Sequence, residues 1–268
     1  MSTPGREAAH EGRSRSPSPA RSGAAIVVAS FVLLAASAIL STLIATGVLP
    51  LGQEAAVDRR VRDYILANPE IILETISKLD ARLKAAEVDE LAVVLKKRHD
   101  ELFNDPASPV GANPQGDATL VEFFDYNCTY CRSAAPMLDE LERSDKGLRL
   151  VFKEYPILGA GSVFAARAAL ASRNQDKYLP FHKAMMAYKG SITESSALAV
   201  ATAVGIDVER LKKDMEDPAI EGAIKRNLAL AEALRISGTP TFIAGKEIQR
   251  ALADVEAMKR LIASARQK

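Results

Sequence analysis

Between Gly23 and Gly52 the chain carries no charged side chain, and residues 24–49 are almost wholly apolar. About 20 such residues suffice for a helix to cross the hydrocarbon core of a bilayer. The stretch is therefore predicted to be a transmembrane anchor. Arg13, Arg15 and Arg21 precede it, and the bias of basic residues toward the cytoplasm keeps the N-terminus inside and sends everything after Pro50 outward. The alternative is a cleaved signal sequence, with residues 24–35 as its apolar core and Ala36-Ser37-Ala38 as the small-residue cleavage site. That reading leaves the apolar residues 39–49 as a new N-terminus. Both readings export the remainder of the chain. Residues 1–23, rich in Ser, Pro, Gly and Arg and without an apolar period, read as a disordered cytoplasmic tail.

Residues 54–104 read as helical. A first helix runs to about Ala67, and Asn68-Pro69-Glu70 supplies a cap, a proline for the first turn and an early acid to start a second. Ile72, Ile76, Leu79, Leu83 and Ala86 then recur at alternating steps of four and three, the spacing of a heptad seam. The seam degrades around Glu90, although Leu91, Val94 and Leu95 continue an apolar face. Such a face serves an oligomerisation stalk, or packs the helix on its own catalytic domain. The Pro/Gly/Asn-rich residues 105–116 form a connector, and the domain boundary is placed there.

From Asp117 the pattern becomes an alternation of strands and helices. Residues 119–126 and 148–155 are strand-like runs of β-branched and aromatic residues, with a helix over 128–143 between them. Residues from about 162 to 236 look entirely helical. Residues 241–244 and 247–249 flank Gly245-Lys246 as a short hairpin, and an amphipathic helix over 254–266 closes the chain. The order β-α-β, helical insert, β-β-α predicts an α/β domain over residues 109–268: a thioredoxin fold with a helical insertion, preceded by the helical extension and one transmembrane helix.

The formal net charge is +1, and no basic block is interleaved with aromatics, so the composition gives no nucleic-acid surface. The chain has two cysteines, Cys128 and Cys131. A bridge across so short a loop restricts the unfolded chain little, so chemistry explains the pair better than structure does. A structural zinc site needs four ligands, and His10, His99 and His182 form no ligand-spaced cluster with the thiols. No metal and no organic cofactor are expected. Two thiolates alone could still hold Cu(I), which favours soft ligands.

Cys128-Thr129-Tyr130-Cys131 follows a strand and opens a helix. There the unpaired N–H groups and the positive end of the helix dipole favour a thiolate. The first cysteine is then the exposed nucleophile, and the second, one turn on, resolves a mixed disulfide. Glu122, six positions earlier in an apolar strand, is either a surface carboxylate or a partly buried acid that shuttles a proton as Cys131 ionises. Lys153 in the next strand is a candidate partner for that charge. Thr239-Pro240 lies just before a strand, an unusual place for proline; a cis bond there would turn the preceding backbone toward an extended substrate.

VEFFDYNCTYC followed by GTPTF resembles the DsbA-type thioredoxin-like proteins of bacteria, from about Pro109 to the C-terminus. The resemblance implies a cis Thr239–Pro240 bond facing Cys128, with Glu122 and Lys153 in the family's buried acid–base positions. It makes Thr239, Pro240 and Tyr130 substrate-contacting residues. VRDYILANPEIILETI resembles the helical extension of the suppressor-of-copper-sensitivity branch, some members of which oligomerise and act as disulfide isomerases. Thr129-Tyr130 replaces the Pro-His pair of strongly oxidising members, which implies a couple less oxidising than the extreme of about −120 mV. The expectation is an inner-membrane, periplasm-facing thiol–disulfide oxidoreductase of isomerase or reductase character. It would act on cysteine-containing exported proteins and be reset by a membrane redox partner. An envelope copper-binding protein is the alternative.

Overall fold

In the computed structural model of the chain, the described residues are 20–46, 48 and 53–267. Residues 1–19 of the expected tail lie outside them, as do parts of the linker after the apolar segment. The chain divides between Ala81 and Arg82 into two units.

Among its described residues the first unit is helical. Helix α1 (Ala20–Ala45) already contains the last four residues that the sequence pattern assigns to the tail. Its span Ile26–Ala45 is long and apolar enough to cross a membrane, with a mean hydropathy of 2.4. The hydroxyls of Ser30, Ser37 and Thr42 donate to carbonyls of Ile26, Leu34 and Ala38 at 2.7–2.9 Å, so these polar groups are satisfied within the helix, as a lipid environment requires. Helix α2 (Gln53–Ala67) and helix α3 (Glu70–Lys97) are separated by Asn68 and Pro69. The Asn68 side chain donates to the Tyr64 carbonyl at 2.8 Å and so closes the end of α2. Ile72, Ile76, Leu79 and Leu83, the heptad positions, are all exposed on this chain.

The second unit is built on a five-stranded sheet of order β1-β3-β2-β4-β5. The strands are β1 (Val110–Ala112), β2 (Ala118–Phe124), β3 (Leu148–Glu154), β4 (Thr241–Ala244) and β5 (Glu247–Arg250). Only β2 and β3 pair in parallel, and helix α5 (Thr129–Ser144) makes the crossover that a parallel pair requires. Between β3 and β4 lies the expected helical insert: α6 (Ala160–Ala171), α7 (Tyr178–Ala187), α8 (Glu194–Ala203), α9 (Val208–Asp214) and α10 (Pro218–Ala233). Helix α11 (Val255–Arg266) packs back on the sheet. This is the thioredoxin fold with a helical insertion.

Strand parity organises the core. Leu120 and Phe124 of β2 face one cluster, with α5, α6, α7 and α11. Val121 and Phe123 face the other, with Leu95, Leu102, Phe103, Leu230 and Leu234. Two sequence expectations shift here. The connector 105–116 is not a structureless boundary, because Val110–Ala112 joins the sheet as an antiparallel edge on β3. The end of the helical extension belongs to the catalytic unit: Leu91, Leu95 and, in helix α4 (His99–Phe103), Leu102 and Phe103 are buried. The seam degrades at Glu90 because the face changes purpose, from an exposed stripe to a contact with the underside of the sheet.

Candidate active site

Cys128 is the N-cap of α5, in extended backbone, and Thr129 is the first helical residue. Its amide donates to the Asp125 carbonyl at 3.0 Å, and its own carbonyl accepts the Arg132 N–H at 3.1 Å, which fixes the turn from strand to helix. The expected exposure of Cys128 needs correction: the residue is buried at 7% exposure, because its sulfur is turned onto the Thr239 carbonyl, and Cys131, one turn on, has no exposed surface. Cys128 Sγ donates to the carbonyl of Thr239 at 3.2 Å, across 111 residues of chain. The Thr239–Pro240 bond is cis, and this segment enters β4 beside β2, in register with it. Tyr130 is 65% exposed beside the two sulfurs.

Glu122 has the same parity as Leu120 and Phe124, so it faces α5. It is buried at 2% exposure, and neither carboxylate oxygen has a hydrogen-bond partner. Burial raises its pKa to about 8, far above an ordinary glutamate. Burial, and then the Glu122 charge, push the Cys131 thiol upward. The two groups therefore compete over one charge in one buried place. The surface-carboxylate alternative does not apply.

The expected Glu122–Lys153 pair is not formed, and this is a correction. In the parallel register Glu122 sits opposite Phe152, while Lys153 sits opposite Phe123, so the ammonium projects from the other side of the sheet. There Lys153 Nζ donates to Ser108 Oγ at 2.7 Å and to the Glu101 carbonyl, with Asp105 Oδ2 at 3.7 Å. Burial lowers its pKa to about 8. Lys153 ties α4 and the following turn to the sheet and touches neither sulfur nor acid at the site.

Several residues of the site escaped the sequence reading. Asp125 is 1% exposed and accepts four hydrogen bonds: from Asn127 N–H and Ser162 Oγ on one oxygen, both at 2.7 Å, and from the Ile157 and Leu158 N–H groups on the other, at 2.8 and 2.9 Å. It thereby fastens the cysteine loop to the start of the helical insert. Asn127 adds a reciprocal pair with the Ile192 backbone, and Arg132 clamps the Tyr126 and Gly190 carbonyls at 2.8 and 2.7 Å. Asp125→Ala is expected to cost about 3 kcal/mol, because four donors lose their acceptor in a buried place. Urea unfolding checks it, and a loss below about 1 kcal/mol would show the loop to be held by other means.

A second buried cluster lies behind the motif. Tyr126 and Tyr178 both donate to Glu154 Oε1, at 3.2 and 2.9 Å, and His182 Nδ1 lies 3.2 Å from the Tyr126 hydroxyl. Burial raises the Glu154 pKa well above the usual range and lowers that of His182 to about 3, which leaves the imidazole uncharged at neutral pH. A lone histidine within a helix gives no sequence signal for this cluster.

The family model of the DsbA-like thioredoxin domain matches residues 119–263, and that of the copper resistance protein ScsC N-terminal domain matches residues 53–86. The crystal structure of a thioredoxin-like oxidoreductase from Silicibacter pomeroyi DSS-3 is 46% identical, with a TM-score of 0.62, over 63% of this chain and 98% of that one. Proteus mirabilis ScsC in a transitional conformation is 28% identical, with a TM-score of 0.61, over 82% and 99% of the two chains. The curated relative Na(+)/H(+) antiporter NhaA of Herminiimonas arsenicoxydans is 31% identical over 169 residues, 62% of this chain. This chain spans about a quarter of the antiporter's length, 26%. Since the domain match covers more than half of the chain and runs from β2 through most of α11, the chain belongs to the DsbA-like thioredoxin domain family of thiol–disulfide oxidoreductases, near its ScsC branch.

Proposed function

We propose that the chain is a membrane-anchored oxidoreductase of isomerase or reductase character, held in the inner membrane by α1 with its catalytic unit in the periplasm. Its substrates are cysteine-containing exported proteins. The observation that carries this reading is Cys128 at the helix start, its sulfur 3.2 Å from the Thr239 carbonyl, with the fully buried Cys131 one turn behind.

The Cys128 thiolate attacks one sulfur of a substrate disulfide, forming a Cys128–substrate bond and releasing the other substrate sulfur as a thiolate. Two outcomes follow. A different substrate thiolate attacks and leaves with a new pairing, which is isomerisation. Alternatively Cys131 gives its proton to ionised Glu122 and attacks Cys128. The Cys128–Cys131 bond then forms, the substrate leaves reduced, and a membrane redox partner returns two electrons to the pair. Glu122 is the group that takes that proton in this reading, since after burial its charge is the next cause that raises Cys131. The exposed Tyr130, Ile157 and Leu158 offer apolar contacts on the substrate side, with the last two held beside the motif by Asp125. Thr129-Tyr130 between the cysteines supplies no histidine to stabilise a thiolate, in keeping with a couple short of the oxidising extreme.

The helical arm, residues 54–104, supports self-association. Its seam positions Ile72, Ile76, Leu79 and Leu83 are 48–59% exposed, and an exposed apolar stripe of heptad spacing is buried by another helix of the same kind. Equilibrating the full chain, in detergent, with glutathione buffers and a scrambled disulfide substrate tests both parts when the protein mass in solution is followed. The expected result is catalysed reshuffling, a midpoint well below about −120 mV, and a mass of more than one chain. Stoichiometric Cu(I) binding without any exchange would replace this reading with the copper-binding one, and a monomer mass would remove the stalk.

A further inference from the structure

Short segments from five parts of the chain surround Cys128. Residues 126–138 are its own turn and the start of α5. Residues 155–166 are fastened to that turn through Asp125, and 187–193 through Asn127 and Arg132. Residues 236–241 bring the Thr239 carbonyl to the sulfur. Residues 250–253 lead out of β5, and the Ala251 N–H donates to the Pro240 carbonyl at 3.0 Å. Together these segments carry three charged side chains, Arg132, Lys189 and Arg250, and all three are cations. The chain as a whole is balanced, with 35 basic residues against 34 acidic ones, so the sign here is a local property.

The three lie on two sides of the motif. Arg250 ends β5 opposite Thr241, the residue after the cis-proline. Opposed residues of an antiparallel pair are about 5 Å apart at Cα, so the guanidinium starts close to the strand that carries Thr239. Lys189 precedes Gly190, whose carbonyl accepts from Arg132 Nη1 at 2.7 Å. Arg132 donates only to carbonyls, of Tyr126 and Gly190, and no carboxylate offsets its charge. Lys189 and Arg250 are exposed, and among the described residues neither side chain has an ion-pair or hydrogen-bond partner. Exposed bases elsewhere are paired: Lys183 with Asp139 and Glu142, and Arg235 with Glu90. The acids near the motif are occupied. Asp125 and Glu154 are buried at 1% exposure and hydrogen-bonded. Asp254 caps α11 by accepting the Ala257 N–H, and Glu194 lies in the first turn of α8, where the helix dipole favours it.

We propose that Arg250, Lys189 and Arg132 form a cationic rim that selects exported substrates whose reacting cysteine is flanked by acidic residues, with Arg250 reading a carboxylate beside that cysteine. The proposal rests on the reading of Cys128 as the nucleophile. The Cys128 thiolate attacks the cysteine sulfur of a substrate disulfide. The Cys128–substrate bond forms, the other sulfur leaves with the electron pair as a thiolate, and no outside oxidant or reductant takes part. As the extended segment aligns with the Thr239 backbone, its carboxylates meet the rim, and the planar fork of an arginine can hold one by two hydrogen bonds. Tyr130, Leu158 and Leu252, at 65%, 50% and 40% exposure, supply apolar contacts on the same segments. Opposite charge raises the encounter rate and rejects basic segments, and salt screens both effects.

Two short capped peptides test the rim, one with Asp and one with Lys on both sides of a central cysteine held as a mixed disulfide with 2-thiopyridine. Attack at the peptide sulfur releases pyridine-2-thione, followed by absorbance after mixing with the reduced full chain in neutral detergent. Each rate is divided by that of 2-mercaptoethanol with the same peptide, which removes intrinsic reactivity. The acidic peptide is expected to react about tenfold faster than the basic one at low ionic strength. One exposed ion pair supplies at most about fivefold, so the preference is collective. It should fall to about twofold in half-molar salt. Arg250→Glu should bring the low-salt ratio to about one, and Lys189→Glu should lower it by less. A wild-type ratio near one overturns the rim, as does a ratio that Arg250→Glu leaves in place, including the case where both peptides slow alike. If Arg250→Glu fails to fold by circular dichroism, Arg250→Gln is read by the same ratio. Release no faster than from Cys128→Ser with either peptide removes the underlying reading of the nucleophile instead.

Discussion

Cys128→Ser is expected to lower turnover of a scrambled disulfide substrate by more than about a thousandfold, a barrier increase of roughly 4 kcal/mol. The reason is elementary. Disulfide exchange is carried by a thiolate, and a serine hydroxyl is neither ionised near neutral pH nor a comparable nucleophile toward sulfur. The substitution replaces sulfur with a smaller atom at a capped turn held by Asp125, Asn127 and Arg132, so the fold should persist, and unchanged circular dichroism checks that. Cys131→Ser gives a different phenotype. Attack at Cys128 survives while internal resolution is lost, so covalent enzyme–substrate adducts accumulate and appear as a mass increase under non-reducing conditions. An isomerase-type enzyme keeps part of its turnover in that variant, because substrate thiols can still resolve the adduct; a strict reductase loses it. Full activity of Cys128→Ser would defeat the assignment altogether.

What the sequence made legible, and what it did not, follows from the range of the interactions concerned. The strand–helix start at Cys128, the order of elements after Asp117 and the break at Asn68-Pro69 are set by local chemistry: β-branched runs, a helix-capping position and a proline without an N–H. Strand β1 was hidden because three residues, Val110–Ala112, carry no period, and their pairing with β3 is a tertiary fact. The Glu122–Lys153 pairing failed for a related reason. Each strand read alone gives its own alternation, but which residues of two strands share a face depends on their register, here Glu122 with Phe152. The same alternation, applied to a strand buried on both sides, wrongly allowed Glu122 to be a surface residue. Asp125 was legible in retrospect as a polar residue at the end of an apolar strand, yet its four partners come from residues 127, 157, 158 and 162, which no local pattern links. The fading of the heptad seam at Glu90 was visible in the sequence. Its meaning, the docking of Leu91 and Leu95, needed the fold.

Glu122→Gln is expected to stabilise the reduced protein at pH 8 by up to about 5 kcal/mol, the equivalent of raising a carboxyl from 4.5 to about 8. The sign follows from proton counting. Below about pH 4.5 the acid is protonated in both the folded and the unfolded chain and contributes no pH dependence. Between about 4.5 and 8 the unfolded chain has released the proton and the folded chain retains it, so rising pH favours unfolding by about 1.4 kcal/mol per unit. Above about 8 both states are ionised, and the loss levels off. Other buried groups tilt the same curve: Glu154, also raised, adds a loss of the same sign, whereas His182, lowered to about 3, favours unfolding as pH falls below its ordinary value. The difference between wild type and Glu122→Gln isolates the one carboxyl. Urea unfolding of the reduced full chain in detergent, from pH 5 to 9, should therefore give curves that nearly meet at the acid end and diverge steadily toward pH 8. Parallel curves would mean that Glu122 is not buried uncharged beside Cys131. The same measurement on the oxidised protein adds the cost of the site's chemistry, because a disulfide removes the Cys131 thiol as a competitor for the proton while leaving the carboxyl buried. A buried acid that weakens the fold at the pH where it works is the expected signature of a residue kept for proton transfer rather than for stability.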